Sequence, residues 1–314
     1  MSDPMKITRR GFLKVFGGAT LGLGVSCLAG YGYVFYVEPH WLSVERVDIP
    51  IQGLPRAFEG FKIVCLSDFH LHPYTQIDFI ERVVTASNEL IPDVVCLLGD
   101  YVFEGADSIF ELAPVLAKLE PTHGVFAVLG NHDLWTDAAV VRSGLESVGI
   151  RVLVNESVPL SVGDDDLILA GLDDGWSGEP DLSLALEGSP QGVPVILMLH
   201  EPDFADQYAR DGRVCLQLSG HTHGGQVRIP GIGGPFRPEY GRKYDDGLVE
   251  IEDMWLYTTR GVGVIGPPAR FNCRPEITEI TLKSIPGKLG SAVEDSNAES
   301  FSRDIKKLDK LTDL

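Results

Sequence analysis

Apolar and polar positions divide the chain into an apolar leader, a long region of alternating strand-like and helix-like segments, and a polar tail. Short runs rich in Val, Ile and Leu at residues 61–67, 93–98 and 124–129 read as buried strands. Between them, residues 76–90 place Ile77, Ile80, Val83 and Val84 at helical spacing, and residues 108–119 do the same with Ile109, Leu112, Val115 and Leu116. Pro114 predicts a kink in the second of these helices, and a third is expected over residues 137–148. That alternation predicts a parallel sheet covered by helices. The second half is richer in strand signal, at residues 151–155, 158–162, 167–172, 195–199, 214–218, 247–251, 255–259 and 276–282, with a polar hairpin turn at Asp164, Asp165 and Asp166. So many strands fit an α/β fold of two packed mixed β-sheets flanked by helices (an αββα sandwich) better than a single sheet.

The leader predicts membrane contact. An uncharged stretch from Val15 to Val37 exceeds the roughly 20 residues that a bilayer-crossing helix needs. Thr8-Arg9-Arg10-Gly11-Phe12-Leu13-Lys14, just before it, resembles a twin-arginine export signal, which implies passage through the twin-arginine translocase. No A-x-A cleavage site follows, so an uncleaved anchor is expected in preference to a cleaved signal. Lys6, Arg9, Arg10 and Lys14 all precede the stretch, which would leave the N-terminus cytoplasmic and the rest outside. Tyr31, Tyr33, Phe35, Tyr36 and Trp41 could form an aromatic belt at the far interface. The expected division is residues 1–46 as signal, anchor and linker, 47–283 as the folded α/β domain, and 284–314 as a polar tail. In that tail Phe301, Ile305, Leu308, Leu311 and Leu314 follow the spacing of a short amphipathic helix.

Composition narrows the function. A hydrophobic share of 44% with 35 glycines and 20 prolines is that of a globular chain with many turns. The net charge of −19 repels nucleic-acid phosphates, which argues against a nucleic-acid partner. Bound cations could still dominate the local field of a site for an anionic substrate. Five cysteines, none in a CxxC pair, argue against a disulfide framework and against thiolate metal ligation.

Chemistry concentrates at strand ends. Asp68-Phe-His70, Gly99-Asp100, Gly130-Asn131-His132-Asp133, His200 and Gly220-His221-Thr222-His223 follow one another along the chain. A lone Asp after a strand is ordinarily a cap or turn former, and a lone His ordinarily a surface or satisfied core residue. His40, His72 and His123 are read that way, with His72 near enough to the site to touch substrate. Ordered recurrence at the carboxyl ends of strands, where open α/β sheets bind ligands, sets the other residues apart. Asp68 and His70, two apart, can point the same way from an extended segment, and Asp100 can bridge two cations. The donors suit Mn, Fe or Zn, with affinity order favouring Zn over Mn. A pair of such ions would polarise a phosphate and acidify a bound water.

The pattern D-x-H, GD, GNHD, H, GHxH resembles the calcineurin-like metallophosphoesterase superfamily, in a branch of membrane-associated, often twin-arginine-exported bacterial phosphodiesterases. That resemblance implies two divalent metal ions, one held by Asp68, His70, Asp100 and His223, the other by Asp100, Asn131, His200 and His221. It also implies that His132 faces the substrate as general acid, with Asp133 orienting its imidazole. The implied activity is hydrolysis of a small-molecule or lipid-linked phosphoester, as a phosphodiesterase or pyrophosphate hydrolase. A nucleotide phosphatase or nuclease and a non-catalytic metal-binding scaffold are the alternatives. Gly220, Gly224 and Gly225 are expected to let the chain approach the metals closely. Arg270 and Arg274 either contact substrate phosphates or form structural ion pairs. Specificity would lie in loops such as 172–186 and 231–246.

Overall fold

The computed structural model describes residues 8–285; the amphipathic segment of the tail lies outside them. Thr8 caps helix α1 (Arg9–Gly32), its hydroxyl accepting from the Gly11 amide. These 24 residues span about 36 Å at the α-helical rise, more than a bilayer's hydrocarbon core of about 30 Å. The apolar helical stretch Arg9–His40 has a mean hydropathy of 1.6 over its most apolar window, none of it buried, so by length and composition it can cross a membrane. Residues 33–40 continue as tighter and wider helical turns into the first strand.

The remainder forms two six-stranded sheets. The first has the order β1 (Ser43–Gln52), β12 (Glu276–Ile285), β2 (Lys62–Leu66), β3 (Val94–Leu97), β4 (Val125–Ala127) and β5 (Arg151–Val152). The second has the order β10 (Gly247–Ile251), β11 (Met254–Thr258), β9 (Val214–Ser219), β8 (Val195–Met198), β7 (Asp165–Gly171) and β6 (Glu156–Val162). Both are mixed: β2 to β5 run parallel while β12 is antiparallel to β2, and β11, β9, β8 and β7 run parallel between antiparallel β10 and β6.

Strand alternation builds the layers. In β2 and β3, Ile63, Cys65, Val94 and Cys96 point between the sheets, where they meet Leu167, Ile196 and Leu216 of the second sheet. Val64, Leu66, Val95 and Leu97 point the other way, onto α2 (Ile77–Asn88), α3 (Ile109–Leu116) and α5 (Ala138–Ser147). On the far side, the short α6 (Leu182–Ala185) and α7 (Ala205–Asp211) cover Ile168, Leu197 and Leu256. The two-sheet sandwich expected from the strand count is therefore the fold.

Four elements differ from the sequence reading, two of them the short α6 and α7, which have too few residues to show a helical period. The turn expected at Asp164, Asp165 and Asp166 is narrower, because Asp165 and Asp166 already pair in β7. β1 begins at Ser43, within the stretch assigned to the linker, and pairs with β12 in parallel over its whole length. Its Glu45, Arg46, Asp48 and Pro50 mask the strand signal, and it tolerates them because it is an edge strand with one neighbour. A further helix, α4 (Asn131–Thr136), occupies the GNHD segment, which has no apolar periodicity to announce it.

Candidate metal centre

Every candidate ligand lies just beyond the carboxyl end of a strand, and left-handed backbone turns aim them. Asp68, His70, Asp100, His221 and His223 all have positive φ, from 43° to 73°. Such conformations cost non-glycine residues of order 1–3 kcal/mol and gather at functional sites. Asp68 and His70 thus converge from consecutive left-handed turns, not from the extended segment their spacing suggested. Hydrogen bonds between neighbouring loops hold these turns: the Asp68 amide donates to Gly99 O at 3.0 Å, His70 to Asp100 O at 3.0 Å and Gly263 to Asp68 O at 2.7 Å. Gly220 lets the two sheets meet here. A methyl group at that position would collide with the Ser67 hydroxyl and lie 2.6 Å from Asp68 Oδ2. Gly224 and Gly225 instead admit Arg260, Cys273 and Gly234, so their tight packing serves the loops behind the site and not the metals.

The side chains converge as two buried groups, Asp68–His70–His223 and Asp100–His200–His221, with His70, Asp100 and His132 forming a third between them. His70 Nε2 lies 3.0 Å from His223 Nε2, 3.4 Å from Asp100 Oδ2 and 3.8 Å from Asp68 Oδ1. His223 Nε2 is 3.3 Å from Asp68 Oδ1, and His200 Nε2 is 3.2 Å from Asp100 Oδ2. Donors about 2.1 Å from a common cation stand roughly 3.0–3.4 Å apart at octahedral to tetrahedral angles. Most of these separations fall in that band.

Buried polar atoms here lack protein partners. Asn131 Oδ1 and His200 Nε2 make no hydrogen bond although both are buried. The other nitrogens of two rings are tied down: His200 Nδ1 donates to Leu98 O at 2.6 Å and His221 Nε2 to Glu239 O at 2.7 Å. These bonds fix the ring orientations and leave His200 Nε2 and His221 Nδ1 facing the cluster. Asp68 and Asp100 are buried, and among the described residues neither pairs with a Lys or Arg. Burial raises their pKa values, but His223 and His70 beside Asp68, and His200 and His70 beside Asp100, outweigh it and keep both low. Burial lowers His221 to about 4 and His223 to about 3. Burial opposes it, but the Asp100 carboxylate holds His200 well above the ordinary imidazole range, so a cation binding there would have to displace its proton. Ionised carboxylates and neutral imidazoles are the forms that ligate divalent metals, and with that one proton displaced the residues fit such ions.

His132 is half-buried at the mouth of the cluster, its ring stacked on Phe103 and edge-on to His70 at 4.7 Å. Burial lowers its pKa. Asp133 does not touch that ring. Its carboxylate accepts from the amides of Asp100 at 2.9 Å, Tyr101 at 2.9 Å, Gly130 at 3.0 Å and Val102 at 3.3 Å. Lying on the inward face of α4, it ties the Asp100 and Asn131 loops together instead of orienting the imidazole. Arg270 is another correction: fully buried, it donates to the carbonyls of Arg260, Gly261, Gly263 and Cys273, and is neither an ion pair nor a phosphate contact. Arg274 stacks over Trp41. His72 pairs with Glu111 at 2.9 Å on the surface.

Sequence reading passed over the aromatic wall beside the cluster. Phe103, His132, Trp135, Trp176 and Tyr240 follow one another with ring centroids 4.9–6.0 Å apart. Trp176 and Tyr240 come from the two loops, 172–186 and 231–246, that carry no sequence code.

A buried Asp, Asn and His centre at the strand ends of a two-sheet α/β sandwich defines a metal-binding hydrolase. The chain belongs to the calcineurin-like phosphoesterase family, whose family model matches residues 61–225. It is 37% identical to the uncharacterized metallophosphoesterase YkuE of Bacillus subtilis, over 89% of this chain and 99% of that one. It is 33% identical to the phosphodiesterase YaeI of Escherichia coli, over 88% and 99% respectively. A transmembrane protein with metallophosphoesterase domain from Danio rerio is 34% identical over 82% of this chain, which spans 60% of that relative. The protein is a phosphoric ester hydrolase.

Proposed function

We propose that this enzyme is a dinuclear metal-dependent phosphodiesterase or pyrophosphate hydrolase. Asp68, His70, Asp100 and His223 would hold one divalent cation, and Asp100, Asn131, His200 and His221 the other. One observation carries this reading: Asp100 Oδ2 lies between the two donor groups, 3.4 Å from His70 Nε2 and 3.2 Å from His200 Nε2. When bound, such a pair of ions supplies Lewis acidity and lowers the pKa of water.

The chain's own residues do the rest. Asp100 Oδ1 accepts from the His132 amide at 2.9 Å, which fixes the start of α4 against the cluster. That placement puts the His132 imidazole over the mouth, where it can protonate the departing ester oxygen. Hydrolysis adds one water across the P–O bond, its oxygen going to phosphorus and a proton to the leaving group. The negative phosphate would favour the protonated imidazole against the burial that lowers its pKa. The phosphodiesterase name of the Escherichia coli relative supports the same class of substrate.

The net charge of −19 disfavours nucleic acids, so the nuclease alternative has no support in the surface. The twin-arginine pattern and α1 support export through the translocase and anchoring on the outer face of the membrane. The test is turnover of bis(p-nitrophenyl) phosphate by chelated enzyme reloaded with Mn²⁺ or Zn²⁺. We expect turnover to require metal. His132→Ala should bind metal normally yet lose about 10²–10⁴ in rate, most severely on esters with poor leaving groups. Metal binding without turnover would support a scaffold instead.

A further inference from the structure

We propose that the aromatic wall and the loop facing it form a binding groove for the apolar part of a lipid phosphoester drawn from the bilayer that holds α1. This rests on the phosphoesterase reading and names its substrate class.

A groove of about 710 Å³ opens directly from Asp100, Asn131, His132, His221 and His223. Trp135, Trp176, Phe236, Pro238, Ile265 and Pro267 line it, with Gln226 and Arg237 among them. A site for a small polar phosphoester has no use for such walls, whereas a cleft that is apolar apart from a few convergent polar groups takes an amphipathic ligand. The walls are held in place. Trp135 Nε1 donates to Ser177 Oγ at 2.8 Å and its ring meets Trp176 edge-on at 5.0 Å. In the loop that carries Phe236, Arg228 pairs with Asp245 at 3.1 Å and donates to Gly224 O at 3.0 Å, and Gly225 packs directly on Gly234. The loop so braced exposes Phe236 by 79% and Ile232 by 68%, with Ile229 beside them on the same loop.

Continuity with the anchor argues for the bilayer as the source. Val34, just past α1, accepts from the Arg270 amide at 3.0 Å, and Glu38 accepts from the Cys273 amide at 2.6 Å. Phe271, between those two residues, exchanges backbone hydrogen bonds with the groove loop: its amide donates to Gln226 O at 2.9 Å, and its carbonyl accepts from Arg228 at 2.8 Å. The segment leaving the membrane helix is thus one hydrogen-bonded layer away from the loop that carries Ile229, Ile232 and Phe236. A membrane-crossing helix clamped there sets this apolar loop, and the groove mouth behind it, close to the lipid surface. The phosphate would reach the metal cluster while the hydrocarbon stays against Trp176 and Phe236.

The test uses full-chain protein in nanodiscs. Methyl, butyl and hexyl phosphate are compared as inhibitors of bis(p-nitrophenyl) phosphate turnover, and Trp176 fluorescence is read with phospholipids brominated in their acyl chains, using Trp176→Phe as the reference. We expect inhibition to tighten by about fourfold per added methylene where the chain is fully buried, the transfer free energy of a CH₂. Phe236→Ser should flatten that slope, and brominated lipid should quench Trp176. Equal inhibition by methyl and hexyl phosphate, or a slope untouched by Phe236→Ser, would overturn the groove while leaving the phosphoesterase reading intact. If the diester is not turned over at all, the phosphoesterase reading fails, and the fluorescence arm alone decides the groove: an unquenched Trp176 overturns it.

Discussion

Asp133 shows how one side chain can serve a metal centre without touching it. Four backbone amides from two loops converge on its buried carboxylate. Asp133→Ala would leave those donors buried without a partner, each costing about 1–3 kcal/mol where water cannot reach it. We expect the metal-free protein to lose about 2–4 kcal/mol of stability, with partial relief from penetrating water. Denaturant unfolding of chelated protein measures it, and a loss below about 1 kcal/mol would contradict the role given to Asp133. The residues that gather at the candidate site were legible in the sequence, because Asp, Asn and His recur at strand ends in a fixed order. Their backbone conformations were not, since a two-residue spacing is compatible with both extended and left-handed turns. Nor were the partners of Asp133 and Arg270, which are main-chain groups that any sequence supplies.

At the level of elements, hydrophobic periodicity located each strand from β2 to β12 within a few residues, and the helices α2, α3 and α5. It missed β1, whose charged residues and Pro50 suit an edge but disguise a strand. The same strand is nevertheless part of the core: Ile49 and Ile51 are buried between the sheets with Phe58 and Leu282. Ile49→Ala should therefore destabilise the protein by about 2–5 kcal/mol, as at other fully buried aliphatic sites. Equilibrium denaturation checks this, and a change under about 1 kcal/mol would mean that β1 is a detachable flap. Helix α3 runs through Pro114 without ending. The ring removes the bond that Phe110 O would have accepted, and the Phe110 side chain is exposed, so water is at hand to replace it. The short α4 escaped notice because its start is set by the Asp133 carboxylate on the Gly130 amide and not by a hydrophobic stripe.

For the molecule as a whole, the sandwich brings residues from positions 68 to 223 into one pocket, and the leader carries a helix long and apolar enough to cross a membrane. The sequence could not announce the aromatic groove, since Trp135, Trp176 and Phe236 are far apart in the chain and follow no period. The leader is legible but makes its own demand. If Arg9 and Arg10 are the export signal, replacing both by Lys should keep the protein inside the cell, which fractionation followed by immunodetection would show. Unchanged export would assign α1 to an ordinary insertion route.

The claim on which the rest depends is that two cations sit on either side of Asp100. Anomalous scattering from crystals of metal-loaded protein, recorded at the absorption edge of the bound metal, tests it directly. We expect two peaks about 3.5–4 Å apart, the spacing of two-metal sites, flanking the Asp100 carboxylate, and at most one peak in Asp100→Ala. A single peak in the wild-type protein, or a pair away from Asp100, would contradict the account.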